Sequence, residues 1–337
     1  MRTLVGHDSP PYRFLKHLSN AIFGHIALYE SVSYPHSLVV IKTMNIESMN
    51  NNTSLVDNIP VLEDGKLEAK IMKKLPPHPN VLQRLDCFRD NENQRLVLEY
   101  CPNGDLYNHI VSLSRLNGDR VALVRPFIKQ IVNGMAHLHS HGVAHRDLSL
   151  ENVLLDSKLT CKISDFGLAT YKQKRVRSVT SVGVGKPYYM SPEVYNNVAS
   201  YDPFKSDVWA LGILIFILLT GHPLYEVPND ENYQLLVEAM RSKGHPFARF
   251  WQRYRVQDAD LVRILDNVLV LNPEKRWSMK KIQSVLRNNN NAKVEEQRCC
   301  TSCKKHFRFY RKKKYQCPAC ETSVCRKCYK SQGHFCC

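Results

Sequence analysis

His145-Arg146-Asp147-Leu148-Ser149-Leu150-Glu151-Asn152, bounded by Val153-Leu154-Leu155 and followed by Asp165-Phe166-Gly167, constrains this chain more than any other stretch. Asp147 is a candidate proton acceptor, and Asn152 and Asp165 are hard oxygen donors of the kind Mg²⁺ takes. The aliphatic triplet after Asn152 reads as a strand. The spacing puts one base and two metal ligands within reach of each other.

The chain has 337 residues, enough for a domain of about 270 residues and a small module. A net charge of +16 and an isoelectric point near 9.3 favour acidic partners without choosing among phospholipid headgroups, nucleic acid and acidic proteins. Nine of the twelve cysteines lie between Cys299 and Cys337, whereas Cys87, Cys101 and Cys161 are isolated, so two domains are expected. Met1 to Lys16 has no apolar segment of the kind a secretory signal needs. A reducing, cytoplasmic setting follows as an expectation, and clustered thiols there bind metal rather than form disulfides. The most apolar run, Val208 to Leu219, is shorter than the roughly 20 residues a bilayer requires and reads as a buried core helix.

From Tyr12 to about Lys42 short apolar alternations predict strands, with Val39-Val40-Ile41-Lys42 the clearest. Asn45 to Asp57, rich in Asn and Ser, reads as a solvated insertion. Leu67 to Leu75 has helical spacing and is stopped by Pro76-Pro77. Arg95 to Tyr100 is strand-like, and after Leu106 the period turns helical, with Ile131, Met135 and Leu138 on one face. Asn288 to Asn291 opens a polar linker, 288–298, before the cysteine-rich end.

These motifs and others in order resemble the eukaryotic protein kinase family over 12–287. Lys42 in Val-Val-Ile-Lys matches the strand lysine on the α- and β-phosphates of ATP, and Glu68 matches its helix partner. Leu98 to Leu106 looks like the hinge between lobes. There Leu98 would guard the rear pocket, the backbone at Glu99 and Cys101 would read adenine, and Asp105 would take the ribose or else stabilise the turn at Gly104. Ser191-Pro192-Glu193 resembles the close of the activation segment, with Glu193 pairing Arg276, and Asp207 resembles the residue that holds the catalytic-loop backbone. The resemblance implies an α+β, two-lobed fold with a β-rich N-lobe and a mostly helical C-lobe. It also implies Asp147 as base and Asn152 with Asp165 on Mg²⁺.

Two departures stand out. The segment aligned with the glycine-rich loop carries Ser19 and Ala21 in place of glycines; Gly24 and Ile26 remain as nucleotide contacts. Ser149 replaces the catalytic-loop lysine of serine/threonine kinases, and Lys186 stands where those kinases carry the threonine that bonds it. An exchange of the two side chains would return the ammonium to the same space. Ser178, Thr180 and Ser181, beside Lys172, Lys174, Arg175 and Arg177, are candidate phosphorylation sites that would pair with Arg146.

Cys300, Cys303, Cys317, Cys320, Cys325, Cys328, His334 and Cys337 form four ligand pairs, enough for two tetrahedral Zn²⁺ sites. The spacing, with Arg311-Lys312-Lys313-Lys314 before Cys317, resembles the FYVE family of cross-braced zinc fingers, although Tyr315-Gln316 and Pro318 depart from its lipid-reading motif. That resemblance implies Cys300, Cys303, Cys325 and Cys328 on one ion and Cys317, Cys320, His334 and Cys337 on the other. It also implies docking to an anionic or phosphoinositide membrane, endosomal or other, or to a protein partner. The expectation is an ATP-dependent kinase for protein Ser/Thr hydroxyls, with no nucleic-acid partner. The alternative is a weakly active or inactive kinase-fold scaffold recruited through its finger.

Overall fold

The computed structural model describes residues 3–6, 9–34, 36–113, 119–172, 185–196, 200–241, 251–254, 256, 258–287, 314–316 and 323–325. It divides into a unit over Met1–Ile282 and a second over Gln283–Cys337. The candidate phosphorylation sites Ser178, Thr180 and Ser181 and the 288–298 linker lie outside the described residues.

The first unit opens with an antiparallel sheet in the order β1-β2-β3-β4-β6-β5, made of β1 (Thr3–Gly6), β2 (Ser9–Ala21), β3 (Gly24–Ser31), β4 (Leu38–Asn45), β5 (Arg84–Arg89) and β6 (Asn93–Glu99). Tyr12, Ala27, Tyr29, Val39, Ile41 and Val97 form one core cluster at alternate strand positions, and Lys42, Met44, Leu96 and Leu98 are buried on the other face. The strand β1 begins before the expected start of the domain at Tyr12; four residues are too few to show alternation.

Between β4 and β5 lie α1 (Ile46–Asn51) and α2 (Gly65–Lys74). The helix α2 starts because the Asp64 side chain accepts a bond from the Leu67 amide, and it ends before Pro76-Pro77. The expected solvated insertion over Asn45–Asp57 is not a solvated loop. Asn45 caps α1, Met49 and Ser54 are buried, and a Thr53–Pro60 bridge folds the following residues back as a strap.

The rest of the unit is mostly helical: α3 (Leu106–Leu113), α4 (Arg120–Ser140), α5 (Pro192–Tyr195), α6 (Pro203–Thr220), α7 (Glu231–Arg241) and α8 (Ala259–Val268). Every residue of α6 from Asp207 to Leu219 is buried, so this helix is apolar all round because it is the centre of the lobe. Short pairs β7 (Val143–Ala144) with β10 (Thr170–Tyr171), and β8 (Val153–Leu155) with β9 (Cys161–Ile163), frame the 145–152 loop. The chain is thus a two-lobed α+β fold with a sheet lobe and a helical lobe. In the second unit β11 (Lys314–Gln316) and β12 (Ser323–Cys325) pair antiparallel, Lys314 opposite Cys325, leaving 317–322 as their connection.

Candidate active site

A cleft of about 990 Å³ lies between the sheet and the helical lobe. Its roof is built by Ser19, Ala21 and Ile26 of the β2–β3 hairpin and its floor by Asn152, Leu154 and Asp165. The strap closes one side with Val56, Ile59, Val61 and Glu63. It is tied to the hairpin turn by the Leu55 amide donating to the Ile22 carbonyl at 2.8 Å, and to the floor by the Asp64 amide donating to the Gly167 carbonyl at 2.9 Å.

Lys42 on β4 and Glu68 on α2 meet inside this space. The Lys42 ammonium donates to both Glu68 oxygens at 2.9 and 2.8 Å and stands 3.7 Å from Asp165. Burial works against the Lys42 charge, but attraction to Glu68 and Asp165 overrides it and raises its pKa above the ordinary lysine range. Lys42 therefore stays charged, and the Lys42 charge in turn holds the Asp165 carboxyl below its usual range. Glu63 had no assigned part in the sequence reading. Its carboxylate sits 3.0 Å from where a Cβ on Gly167 would stand, and burial beside Asp165 pushes its pKa up to about 7.

The 145–152 loop is held from below. Asp207 accepts the His145 amide on Oδ2 and the Arg146 amide on Oδ1, each at 2.8 Å, and buried His145 contacts the Ser164 carbonyl at 2.9 Å. Arg146 and Asp165 both take left-handed backbone angles, φ 67° and 63°, which non-glycine residues adopt at a cost that the surrounding bonds offset. Asn152 donates its amide to the Asp147 carbonyl and to Asp147 Oδ2, both at 2.8 Å. Asn152 Oδ1 is left as an oxygen donor, and Asp165 keeps 43% of its side chain open, so the pair fits an oxygen-loving cation such as Mg²⁺. Burial raises the pKa of Asp147, against the opposing charge of Lys186. Gly185, at φ 94°, passes so close that a Cβ would lie 3.2 Å from Asp147 Oδ1, which keeps that oxygen accessible only because the position is glycine.

Lys186 and Ser149 come together: the ammonium donates to the Ser149 hydroxyl at 2.7 Å, with Glu151 at 3.7 Å. Below them Arg276 donates to Glu193 through both guanidinium arms, at 2.5 and 2.7 Å, while its plane lies 4.9 Å over Trp209.

Two expected nucleotide contacts are not brought to the cleft wall. Asp105 spends Oδ1 on the Asn108 amide at 2.8 Å and Oδ2 on the Asn108 side chain at 2.8 Å, so it caps α3 instead of facing a ribose. Gly24 is needed for sheet packing, because a Cβ there would stand 2.3 Å from the Thr43 carbonyl oxygen. Glu99 and Cys101 do line the cleft. The Glu99 carboxylate faces away, bonded to the Gln83 amide and Lys162, each at 2.8 Å, leaving only main chain from that residue for a ligand. Among the described residues no cluster of three or more His, Cys, Asp and Glu side chains is arranged to hold a metal ion. Cys300, Cys303, Cys317, Cys320, Cys328, His334 and Cys337 lie outside the described residues, and of Cys325 only the backbone is described.

Residues 23–286 match the protein kinase domain family. The chain belongs to it. Similar kinases include CBL-interacting protein kinase 11 of Oryza sativa subsp. japonica, 33% identical over 76% of this chain, and serine/threonine-protein kinase ksp1 of Schizosaccharomyces pombe, 34% identical over 65%. The probable serine/threonine-protein kinase KCC4 of Saccharomyces cerevisiae is 31% identical over 81%. The chain spans 48%, 46% and 25% of the lengths of these three relatives, respectively. The kinase family explains why Lys42, Glu68, Asn152 and Asp165, scattered over the sequence, converge on one cleft, with Asp147 held against Asn152.

Proposed function

We propose that this chain is an ATP- and Mg²⁺-dependent protein kinase acting on Ser/Thr hydroxyls. The observation that carries the reading is the convergence of Asn152, Asp165 and the Lys42–Glu68 pair on a single cleft, with Asp147 bonded to Asn152 beside it. Lys42, aimed by Glu68, steadies the nucleotide phosphates. Asn152 fixes Asp147 through Oδ2, so that Oδ1, beside Gly185, takes the proton of the incoming hydroxyl. A carboxyl with a raised pKa is the stronger base, and the nearby Lys186 charge opposes that rise. Lys186, resting on Ser149, sets its ammonium where the more usual catalytic-loop lysine would act and stabilises charge on the phosphoryl group in flight. Asn152 and Asp165 would hold Mg²⁺, which supplies charge neutralisation for the phosphates when bound.

Loss of two loop glycines, with the strap along the cleft, favours a second reading, a kinase-fold scaffold that binds nucleotide weakly. A thermal shift on adding Mg-ATP, followed by transfer of labelled phosphate to a generic protein substrate, separates the two. Binding with transfer supports the enzyme. No shift and no transfer supports the scaffold.

For the cysteine-rich end the proposal is two Zn²⁺ ions on the eight ligands Cys300, Cys303, Cys317, Cys320, Cys325, Cys328, His334 and Cys337. A segment of under 40 residues with almost no aliphatic residues relies on metal for its stability. Arg311 to Lys314 would then dock the kinase to an acidic membrane, endosomal or other, or to an acidic protein partner. Pelleting with vesicles of different phosphoinositides tests this, and binding that follows only total negative charge rules out a specific headgroup.

A further inference from the structure

The β2–β3 hairpin that roofs the cleft is paired to its last rung, Ala21 opposite Gly24, so only Ile22 and Phe23 form its turn. The carbonyl of each turn residue accepts a bond from outside the hairpin. The Asn45 amide, at the end of β4, donates to Phe23 at 2.7 Å, and the Leu55 amide of the strap donates to Ile22 at 2.8 Å. Ile22 lines the cleft, whereas Phe23 is 2% exposed and takes no part in the lining. A roof made of glycines keeps its conformational freedom until a ligand arrives. Here Ser19 and Ala21 sit in the ladder, and the turn is tied down with no nucleotide present.

The strap that supplies the Leu55 donor is bonded internally as well. Ser54, 7% exposed, is at its centre: its amide donates to the Ile59 carbonyl at 2.8 Å and its carbonyl accepts the Asn58 amide at 3.0 Å. The Ser54 hydroxyl accepts the Val56 amide at 3.2 Å and donates to Asp57. The Val61 amide closes the strap on the Asn52 carbonyl at 2.8 Å. Asn52 and Asn58 take left-handed φ angles of 50° and 54°, which asparagine tolerates better than most residues. The Asn- and Ser-rich composition is therefore turn chemistry, and it joins the roof at Ile22 to the floor at Gly167.

We propose that the strap holds the β2–β3 turn as a preset roof over the nucleotide phosphates, with Ser54, Leu55 and Phe23 as positioning residues for phosphoryl transfer. This rests on the kinase reading above. Mg-ATP then enters a finished site, and the replaced glycines cost no closing motion because the roof makes none. Ser54 and Leu55 act through the backbone of the turn.

The test is amide hydrogen exchange over residues 18–24 of the full chain, with and without the non-hydrolysable nucleotide Mg-AMP-PNP. Its affinity by calorimetry and phosphate transfer from Mg-ATP are measured alongside. In the native chain the roof should exchange slowly and change by less than about twofold on binding. Ser54→Ala removes the hydroxyl at the centre of the strap, and Leu55→Pro removes the donor to Ile22. Each should speed roof exchange by about tenfold or more and make it slow again when Mg-AMP-PNP binds. Each should also weaken Mg-AMP-PNP by about threefold or more and lower kcat by about tenfold. Ser54→Thr, which keeps the hydroxyl, should behave as the native chain. A native roof that exchanges freely and is protected only by nucleotide would overturn the proposal, and that measurement needs no variant. So would folded variants that leave roof exchange and affinity unaltered, or that raise kcat, which would mark the strap as a lid that must open. If the native chain transfers no phosphate while exchange and affinity behave as stated, the kinase reading fails and the preset roof stands.

Discussion

The Lys186 ammonium donates to the Ser149 hydroxyl across 2.7 Å, joining two positions 37 apart in the chain. Each departs from the usual serine/threonine kinase pattern, and together they restore a cation beside Asp147, whose carboxyl feels that charge. Lys186→Ala is expected to lower kcat by about 10²-fold or more with the protein folded, the usual cost of removing a charge that acts in the transition state. The reciprocal double variant Ser149→Lys/Lys186→Thr should recover most of that loss in steady-state kinetics, whereas Ser149→Lys alone brings two ammonium groups together and should not.

Glu68 is 3% exposed and neutralises an ammonium buried with it. Glu68→Ala leaves that charge without its partner, a change that costs about 3 to 5 kcal/mol in comparable buried pairs. Calorimetry should show a clear fall in Tm. The KM for ATP should rise as Lys42 turns to Asp165.

Arg276 and Glu193 make a second largely buried pair among the described residues. Arg276→Lys keeps the charge but cannot reproduce the two-armed contact or the stacking on Trp209. It should lower thermal stability while leaving the ATP KM of the remaining folded enzyme within about twofold, because the pair lies away from the cleft lining.

Glu63 gives a pH signature. Its pKa is about 7 in the folded chain, chiefly through burial and then through Asp165, against an ordinary value of 4.5. A raised carboxyl favours folding below the unfolded pKa and loses that contribution as pH rises through the folded one. The Tm of the ligand-free protein relative to Glu63→Gln should therefore fall from pH 5 to pH 8. A constant difference would show that Glu63 does not titrate in this range.

Much of the site was legible because the sequence signals were discrete. Lys42, Glu68, Asp147, Asn152, Asp165, Asp207 and the Glu193–Arg276 pair each sit in short motifs whose order survives folding. The strap was not legible. Its Asn- and Ser-rich composition resembles a solvated loop, and what turns it toward the cleft is a pair of main-chain bonds, Leu55 to Ile22 and Asp64 to Gly167, that leave no mark on local periodicity. Glu63 was missed for the same reason, since an acid just before a helix reads as a partner of the helix dipole. Asp105 was open to two readings, a ribose contact or local stabilisation of the chain. Its place after Gly104 matches a ribose contact, yet Asn108 three residues on supplies both donors it needs.

Transfer of labelled phosphate from Mg-ATP to a generic protein substrate, comparing the native chain with Asp147→Asn at saturating nucleotide, tests the central claim most directly. The native chain should turn over at about 1 to 100 s⁻¹ and the variant about 10²- to 10⁴-fold more slowly, with Mg-ATP binding retained in both. Equal transfer by the two proteins, or none by the native chain while it binds Mg-ATP, would contradict the account.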